Sequence, residues 1–260
     1  MATMEAERMV YDKALKGMFA LAALTVVSTA LITAPYGRHS RSGWGPSIGG
    51  RLGWCLMESP TLWLSALLFP LGRSANPTSL LLLVPFLLHY IQRTLIYPLF
   101  RVPSPAKPIP LTIVAAALFF NCYNTFLQVR WVSHFGVYTT AWLWSPAFIL
   151  GLGVFLIGMY INIWADSVLF SLRKSKEGGD GSYQIPRGGI YEYVSCPNYL
   201  GEIVEWMGWA IMTWSWPGLA FFVYTASNLG PRAVSNHAWY LKKFPRDYPK
   251  SRKALVPYVY

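Results

Sequence analysis

The stretch YQIPRGGIYEYVSCPNYLGEIVE occupies residues 183–205. It sets a polar loop rich in glycine and tyrosine against the start of an apolar segment. Asn198, Glu202 and Glu205 fall where a membrane helix is expected to enter the bilayer. Hydrocarbon offers no partners to amides or carboxylates, so groups placed there need protein or a bound polar ligand. A polar ligand held at the mouth of a helical membrane protein accounts for all three residues, with Glu205 readable as a helix-start carboxylate near the positive end of the dipole.

Working outward, the rest of the chain supports a membrane fold. Of 260 residues, 54% are hydrophobic and only 13% charged, with 12 Trp and 16 Tyr. The mean hydropathy of +0.34 fits spans with interfacial aromatic residues. Seven apolar segments can be drawn, near 15–34, 52–71, 79–100, 109–128, 146–170, 203–215 and 217–231. Most approach the ~20 residues that cross a bilayer. The last two are short and share the turn Ser215–Gly218, which predicts a tight helical hairpin. With the amino terminus outside and the tail in the cytoplasm, the inside loops carry 16 Lys and Arg and the outside loops 5. That asymmetry favours seven spans and a cytoplasmic tail. The expected fold is therefore all-α: a multi-pass integral membrane protein of seven transmembrane helices with cytoplasmic ligand-binding loops. A single domain over 1–260 is expected, with membrane lipids around it and no obligate protein partner evident.

Other classes fit poorly. The net charge of +11 borders apolar segments and forms no separate basic domain, which argues against nucleic acid. Cys55, Cys122 and Cys196 stand far apart with no metal-ligand spacing. Gly pairs occur without a strand–helix context, so a soluble dinucleotide fold is not expected. Two loops stand out: Pro-rich 101–110, read as stiff and extended, and Lys174–Gly181, read as a mobile surface turn.

Within the spans, Glu58 is a lone carboxylate in GWCLMESPTLWLSALL and must face protein or a polar cavity. Tyr90, Arg93 and Tyr97 stand at i, i+3 and i+7 and so are expected on one helix face. A phenol beside a buried carboxyl group can donate to a carbonyl oxygen as charge develops there. Asn162 and Asp166 are four residues apart, with Arg173 further along the same segment. An amide, a carboxylate and a guanidinium in line suit a ligand carrying sugar hydroxyls, an amide and phosphates. Arg232, Asn236, His237 and Tyr240 place polar groups within two further helical turns.

These residues together resemble the steroid 5-alpha-reductase family. The likeness is clearest in 183–205, in NLGPRAV at 228–234 and in FPRDYPKSRKALVPYVY at 244–260. Weaker matches run back through GMYINIWAD, HYIQRTLIY and the Glu58 segment, covering nearly all of the chain after about residue 50. The resemblance implies a seven-helix enzyme that uses NADPH to reduce the carbon 4–carbon 5 double bond of a 3-oxo-4-ene steroid or steroid-like lipid. Hydride would pass to carbon 5 and a proton to carbon 4. It makes Glu58 and Tyr90 the pair that polarises the 3-keto oxygen, and Trp54 a wall of the steroid pocket. It assigns Asn162, Asp166, Arg173, Tyr183, Asn198, Glu202, Arg232, Asn236 and Tyr240 to the dinucleotide, with Arg93 and Tyr97 beside them. Helices before about residue 130 would serve the substrate, and those after about 146 the cofactor. The competing readings are a membrane methyltransferase and a sterol-binding or transport protein. Methyl transfer needs no carbonyl-polarising acid, and the long polar loop does not suit an inverted-repeat transporter. One departure bears on cofactor choice. Gln184 stands where a related reductase has Arg after the tyrosine, so one phosphate-binding cation is missing.

Overall fold

A computed structural model describes residues 2–102, 106–174 and 183–260, without the side chains of residues 2, 3, 173 and 174. Residues 175–181 of the predicted turn and the side chains of Arg173 and Lys174 therefore lie outside the described residues, as do residues 103–105 of the Pro-rich loop.

The described chain is helical almost throughout. Helix α1 covers Ala2–Leu31, α2 Gly50–Glu58, α3 Pro60–Leu68, α4 Pro77–Ile91, α5 Leu111–Arg130, α6 Pro146–Lys174, α7 Pro197–Thr213 and α8 Trp216–Lys243. Local chemistry sets several boundaries. Asn76 caps α4 by accepting the Ser79 N–H at 3.0 Å, with Pro77 in the first turn. Ser215 caps α8 in the same way through the Gly218 N–H at 3.1 Å. Trp214 ends α7 in the left-handed conformation, at φ 44°. The predicted hairpin is present, but its helices are longer than the apolar runs suggested. Polar residues extend α7 back to Pro197 and α8 on to Lys243. The segment expected over 52–71 is interrupted after Glu58, where Ser59 and Pro60 separate α2 from α3.

Among the described residues, four helical stretches are long and apolar enough to cross a membrane: Met4–Leu31, Pro77–Arg101, Leu111–Phe135 and Pro146–Leu172. The second and fourth match expected spans closely. Outward-facing Leu31, Phe119 and Leu150 are 79%, 67% and 62% exposed, apolar surface that suits lipid. The interrupted α2–α3 pair, the short α7 and α8 do not reach that measure among the described residues. A π-helical continuation of α4 runs from Gln92 to Arg101, a geometry often found at functional sites.

Helices α6 and α7 form the closest pair. A side chain added at Gly158 would strike the Glu205 backbone, and one added at Gly201 would strike that of Asn162. Without these glycines the two backbones could not approach, which is how small residues act at membrane helix interfaces. Around this pair, Phe86, Phe155, Trp206, Trp209 and Phe221 fill the main core. Loops gather at the two ends. At one, Ser47–Ile48 (β1) pairs antiparallel with Ile109–Pro110 (β2), and Lys107 Nζ meets the Tyr183 hydroxyl at 3.1 Å. At the other, Arg130 pairs with Glu7, and the Ser74 N–H bonds the Ser133 carbonyl at 2.8 Å. Each end is thus held by contacts between segments distant in sequence.

Candidate active site

Glu58 ends α2 and Tyr90 lies in the last turn of α4; α5 brings them together. The Asn121 amide nitrogen donates to Glu58 Oε2 at 3.2 Å and to the Met57 carbonyl at 2.7 Å. The Tyr90 hydroxyl donates to the Asn121 Oδ1 at 3.3 Å. One amide therefore joins the predicted carboxyl and phenol. Sequence reading missed Asn121 because its segment scored as an apolar span. The available signal was the set Asn121, Asn124, Thr125 and Gln128, which recurs at helical spacing and is buried throughout. Gln128 continues the polar line, accepting from Trp209 Nε1 at 2.8 Å and donating to the Pro217 carbonyl at 2.8 Å.

Trp54, Arg93 and Tyr97 form a second group next to the first. The Arg93 guanidinium lies 4.8 Å from the Trp54 ring and 4.9 Å from the Tyr97 ring. Trp54 and Tyr97 meet edge to face at 5.3 Å. The shared face expected for Tyr90, Arg93 and Tyr97 divides: Tyr90 turns to α5, while Arg93 and Tyr97 reach Trp54. The wider π turns begin between them, at Gln92.

Arg93 also crosses to α6, with Nη1 3.5 Å from Asp166 Oδ2. Asn198 Nδ2 donates to Asp166 Oδ1 at 3.0 Å, and Asn162 Nδ2 donates to Glu202 Oε2 at 3.3 Å and to the Asn198 carbonyl at 2.9 Å. Asn162, Asp166, Asn198 and Glu202 thus make one network across the glycine contact of α6 and α7. Arg93, His89 and Glu202 are the charged or titratable groups acting on Glu58, so this network and the Asn121 cluster share one electrostatic neighbourhood.

The remaining predicted residues collect at the loop end. Arg232 bonds the Tyr36 hydroxyl and lies 3.4 Å from that of Tyr199. Asn236 Nδ2 donates to Tyr199 Oη at 3.3 Å, and its Oδ1 lies 3.0 Å from His39 Nε2. Tyr183 meets the Trp239 ring at 4.7 Å, and Tyr240 stacks on Tyr248 at 5.1 Å. His237 takes a different part: its Nδ1 is 2.6 Å from Ser195 Oγ, which also contacts Tyr248 Oη at 2.6 Å and the Lys253 carbonyl at 3.1 Å. That knot pins the carboxyl-terminal motif to the loop. Burial pushes the Cys196 thiol up to about 11, which leaves little reactive thiolate.

Glu205 is not a helix-start carboxylate. It is the ninth residue of α7, fully buried, with Oε1 2.7 Å from His89 Nδ1. The helix begins earlier than its apolar pattern, which moves Glu205 to mid-helix. His89 went unnoticed as a partner because the two residues are far apart in sequence. A cleft of about 670 Å³ along the start of α1, near Arg73 and His134, holds none of the predicted site residues.

The pattern of residues has close counterparts among known proteins. Residues 107–260 match the family described as 3-oxo-5-alpha-steroid 4-dehydrogenase. The steroid 5-alpha-reductase DET2 of Arabidopsis thaliana is 54% identical over 243 residues, 91% of each chain. That of Gossypium hirsutum is 49% identical over 99% of this chain and all of its own length. The 3-oxo-5-alpha-steroid 4-dehydrogenase 1 of Bos taurus is 42% identical over 98% of each chain. At such identity over nearly the full length, this chain belongs to the steroid 5-alpha-reductase (3-oxo-5-alpha-steroid 4-dehydrogenase) family.

Proposed function

We propose that this protein is a membrane-embedded, NADPH-dependent steroid 5-alpha-reductase that reduces the carbon 4–carbon 5 double bond of 3-oxo-4-ene steroids. The observation that carries the reading is the convergence of Glu58 and Tyr90 on Asn121, beside Trp54 and Arg93. The relatives' names point to the same reaction class.

The site's own residues can do the following. Tyr90 and a protonated Glu58 donate to the 3-keto oxygen, where negative charge builds as the enone is reduced. Before the steroid binds, Asn121 accepts the Tyr90 proton and donates to Glu58, and the Tyr90 hydroxyl turns from Asn121 to the keto oxygen when the substrate enters. Trp54 walls the steroid, and the surrounding helices keep water out, which strengthens both donor interactions. NADPH, when bound, supplies the hydride that the protein itself cannot.

The donor set suits a dinucleotide. Asp166 and Glu202 are acceptors for hydroxyl or amide groups, held in place by Asn198 and Asn162. Arg93 and Arg232 bring positive charge from two sides, and Tyr97, Tyr183 and Tyr240 offer rings and hydroxyls. Arg173 and Asn236 complete the proposed set. Helices before about residue 130 would then mainly hold the steroid and those after about 146 mainly the cofactor, with Arg93 reaching across. We place the loop end and the tail on the cytoplasmic side, where a charged cofactor has access and the positive residues concentrate.

The test is direct. Purified protein in detergent or lipid receives a 3-oxo-4-ene steroid and NADPH, and cofactor absorbance is followed with product analysis. Steroid-dependent loss of NADPH with a 5-alpha-3-oxosteroid product is expected; no turnover in any lipid condition would sink the reading.

A further inference from the structure

Arg38 stands in the turn Gly37–His39, between α1 and β1. Its guanidinium lies 4.6 Å from the Tyr240 ring, 5.0 Å from the Trp239 ring and 5.8 Å from the Tyr183 ring. Its Nη1 is buried and has no hydrogen-bond partner. The groups acting on it most strongly are Tyr240, Cys196 and Tyr199, none of which carries a formal charge at neutral pH. Aromatic faces offset part of the cost of burying a cation, but they do not satisfy an N–H. A guanidinium with one buried, spare donor and no carboxylate beside it among the described residues suits an anionic partner.

The surroundings favour an anion as the other half. Arg232 and Arg41 act on the neighbouring His39 together with Arg38. Lys107 Nζ lies 5.3 Å from the Tyr183 ring and contacts its hydroxyl. Two cations from separate loops therefore flank Tyr183, the residue directly before Gln184. They stand next to the position where the family resemblance led us to expect a guanidinium that this chain lacks.

We propose that Arg38, assisted by Lys107, takes the 2′-phosphate of the cofactor and so sets the preference for NADPH over NADH in place of the cation missing at Gln184. The inference rests on the cofactor reading above. A phosphate monoester carries close to two negative charges and three strong acceptor oxygens, which suits a fork of guanidinium donors with a lysine beside it. A cofactor without that group leaves Nη1 unpaired and gains nothing from Arg38.

The experiment measures binding without turnover. NADP⁺, NAD⁺ and 2′,5′-ADP are titrated into purified wild-type, Arg38→Gln and Arg38→Lys protein, with tryptophan fluorescence or calorimetry as the readout. Loss of a charge-assisted contact should weaken NADP⁺ and 2′,5′-ADP by about ten- to a hundredfold in Arg38→Gln. NAD⁺ should change little, and Arg38→Lys should keep part of the preference. Equal weakening of NADP⁺ and NAD⁺ would assign Arg38 to the pyrophosphate and overturn the proposal, as would no weakening at all. If Arg38→Gln does not fold, Arg38→Met, which keeps an apolar stem over the rings, and Lys107→Gln carry the same comparison. Wild-type protein that binds neither NADP⁺ nor 2′,5′-ADP would instead overturn the cofactor reading itself, a distinguishable result.

Discussion

Two regions of this molecule handle polarity in opposite ways. Around Glu58, Tyr90 and Asn121, polar groups come from α2, α4 and α5 and are joined by hydrogen bonds of 2.7–3.3 Å through one neutral amide. Around Arg38, Tyr183 and Tyr240, the groups come from loops and the end of α8, and a guanidinium rests on rings with a donor to spare. The first region has its polar groups paired before any ligand arrives, and in the proposed reaction the Tyr90 hydroxyl exchanges Asn121 for the substrate oxygen. The second is one acceptor short, as a binding surface for an anion should be. Under the proposed function, activation of substrate and capture of cofactor thus start from different degrees of satisfaction in the free protein.

The sharpest way to break this contrast is to disable the helix cluster alone. Glu58→Gln and Tyr90→Phe should each lower turnover by at least about a hundredfold, within the range of 10²–10⁴ typical of a positioned acid. Cofactor binding by fluorescence should stay near wild type. Normal turnover in both would show that the donor pair is misassigned.

A second test asks whether the helix cluster depends on its frame. His89→Ala leaves the buried Glu205 with neither oxygen paired, since Oε2 already lacks a partner. The expected cost is about 1–3 kcal/mol of stability, read as a lower melting temperature in detergent. A melting temperature equal to wild type would mean that the pair does not tie α4 to α7.

Asn121→Leu removes the bridge but keeps both donors. Turnover should fall about tenfold, with cofactor affinity unchanged, because the loss is of orientation and not of proton donors. A fall as large as that of Tyr90→Phe would make Asn121 a direct participant.

The smallest effect is expected at the loop end. Gln184→Arg adds a cation where Arg38 and Lys107 already stand. NADP⁺ affinity should rise by no more than about threefold, in keeping with the small worth of added surface charge. A gain of a hundredfold would mean that the 2′-phosphate was unserved in the natural protein.

The legibility of the two regions differs for physical reasons. Asn162 and Asp166 were readable because helical spacing puts i and i+4 on one face, and a carboxylate in an apolar run demands an explanation. Trp54, Glu58 and Tyr90 could be named as residues, but periodicity says nothing about which helices touch. Asn121 was hidden because one amide barely alters an apolar window. The division of Tyr90 from Arg93 and Tyr97 was also unreadable, since the π turns after Ile91 have no spacing signal of their own. Glu205 was misplaced because polar residues lengthen α7 toward its start. Arg38 lies in a short turn, where no period constrains direction.

A helical membrane protein, its polar positions and its family likeness could be read from the chain directly, because hydropathy, charge asymmetry and motif spacing are local properties. Pairing between segments emerged only on folding. Glycines 158 and 201 let α6 and α7 touch and align Asn162 with Glu202. The interruption after Glu58 lets its carboxylate meet Asn121. A turn before β1 lays Arg38 on the rings beside Gln184's neighbour Tyr183. Such meetings depend on contact between distant segments, and close packing selects them in three dimensions, where no single window of sequence can express them.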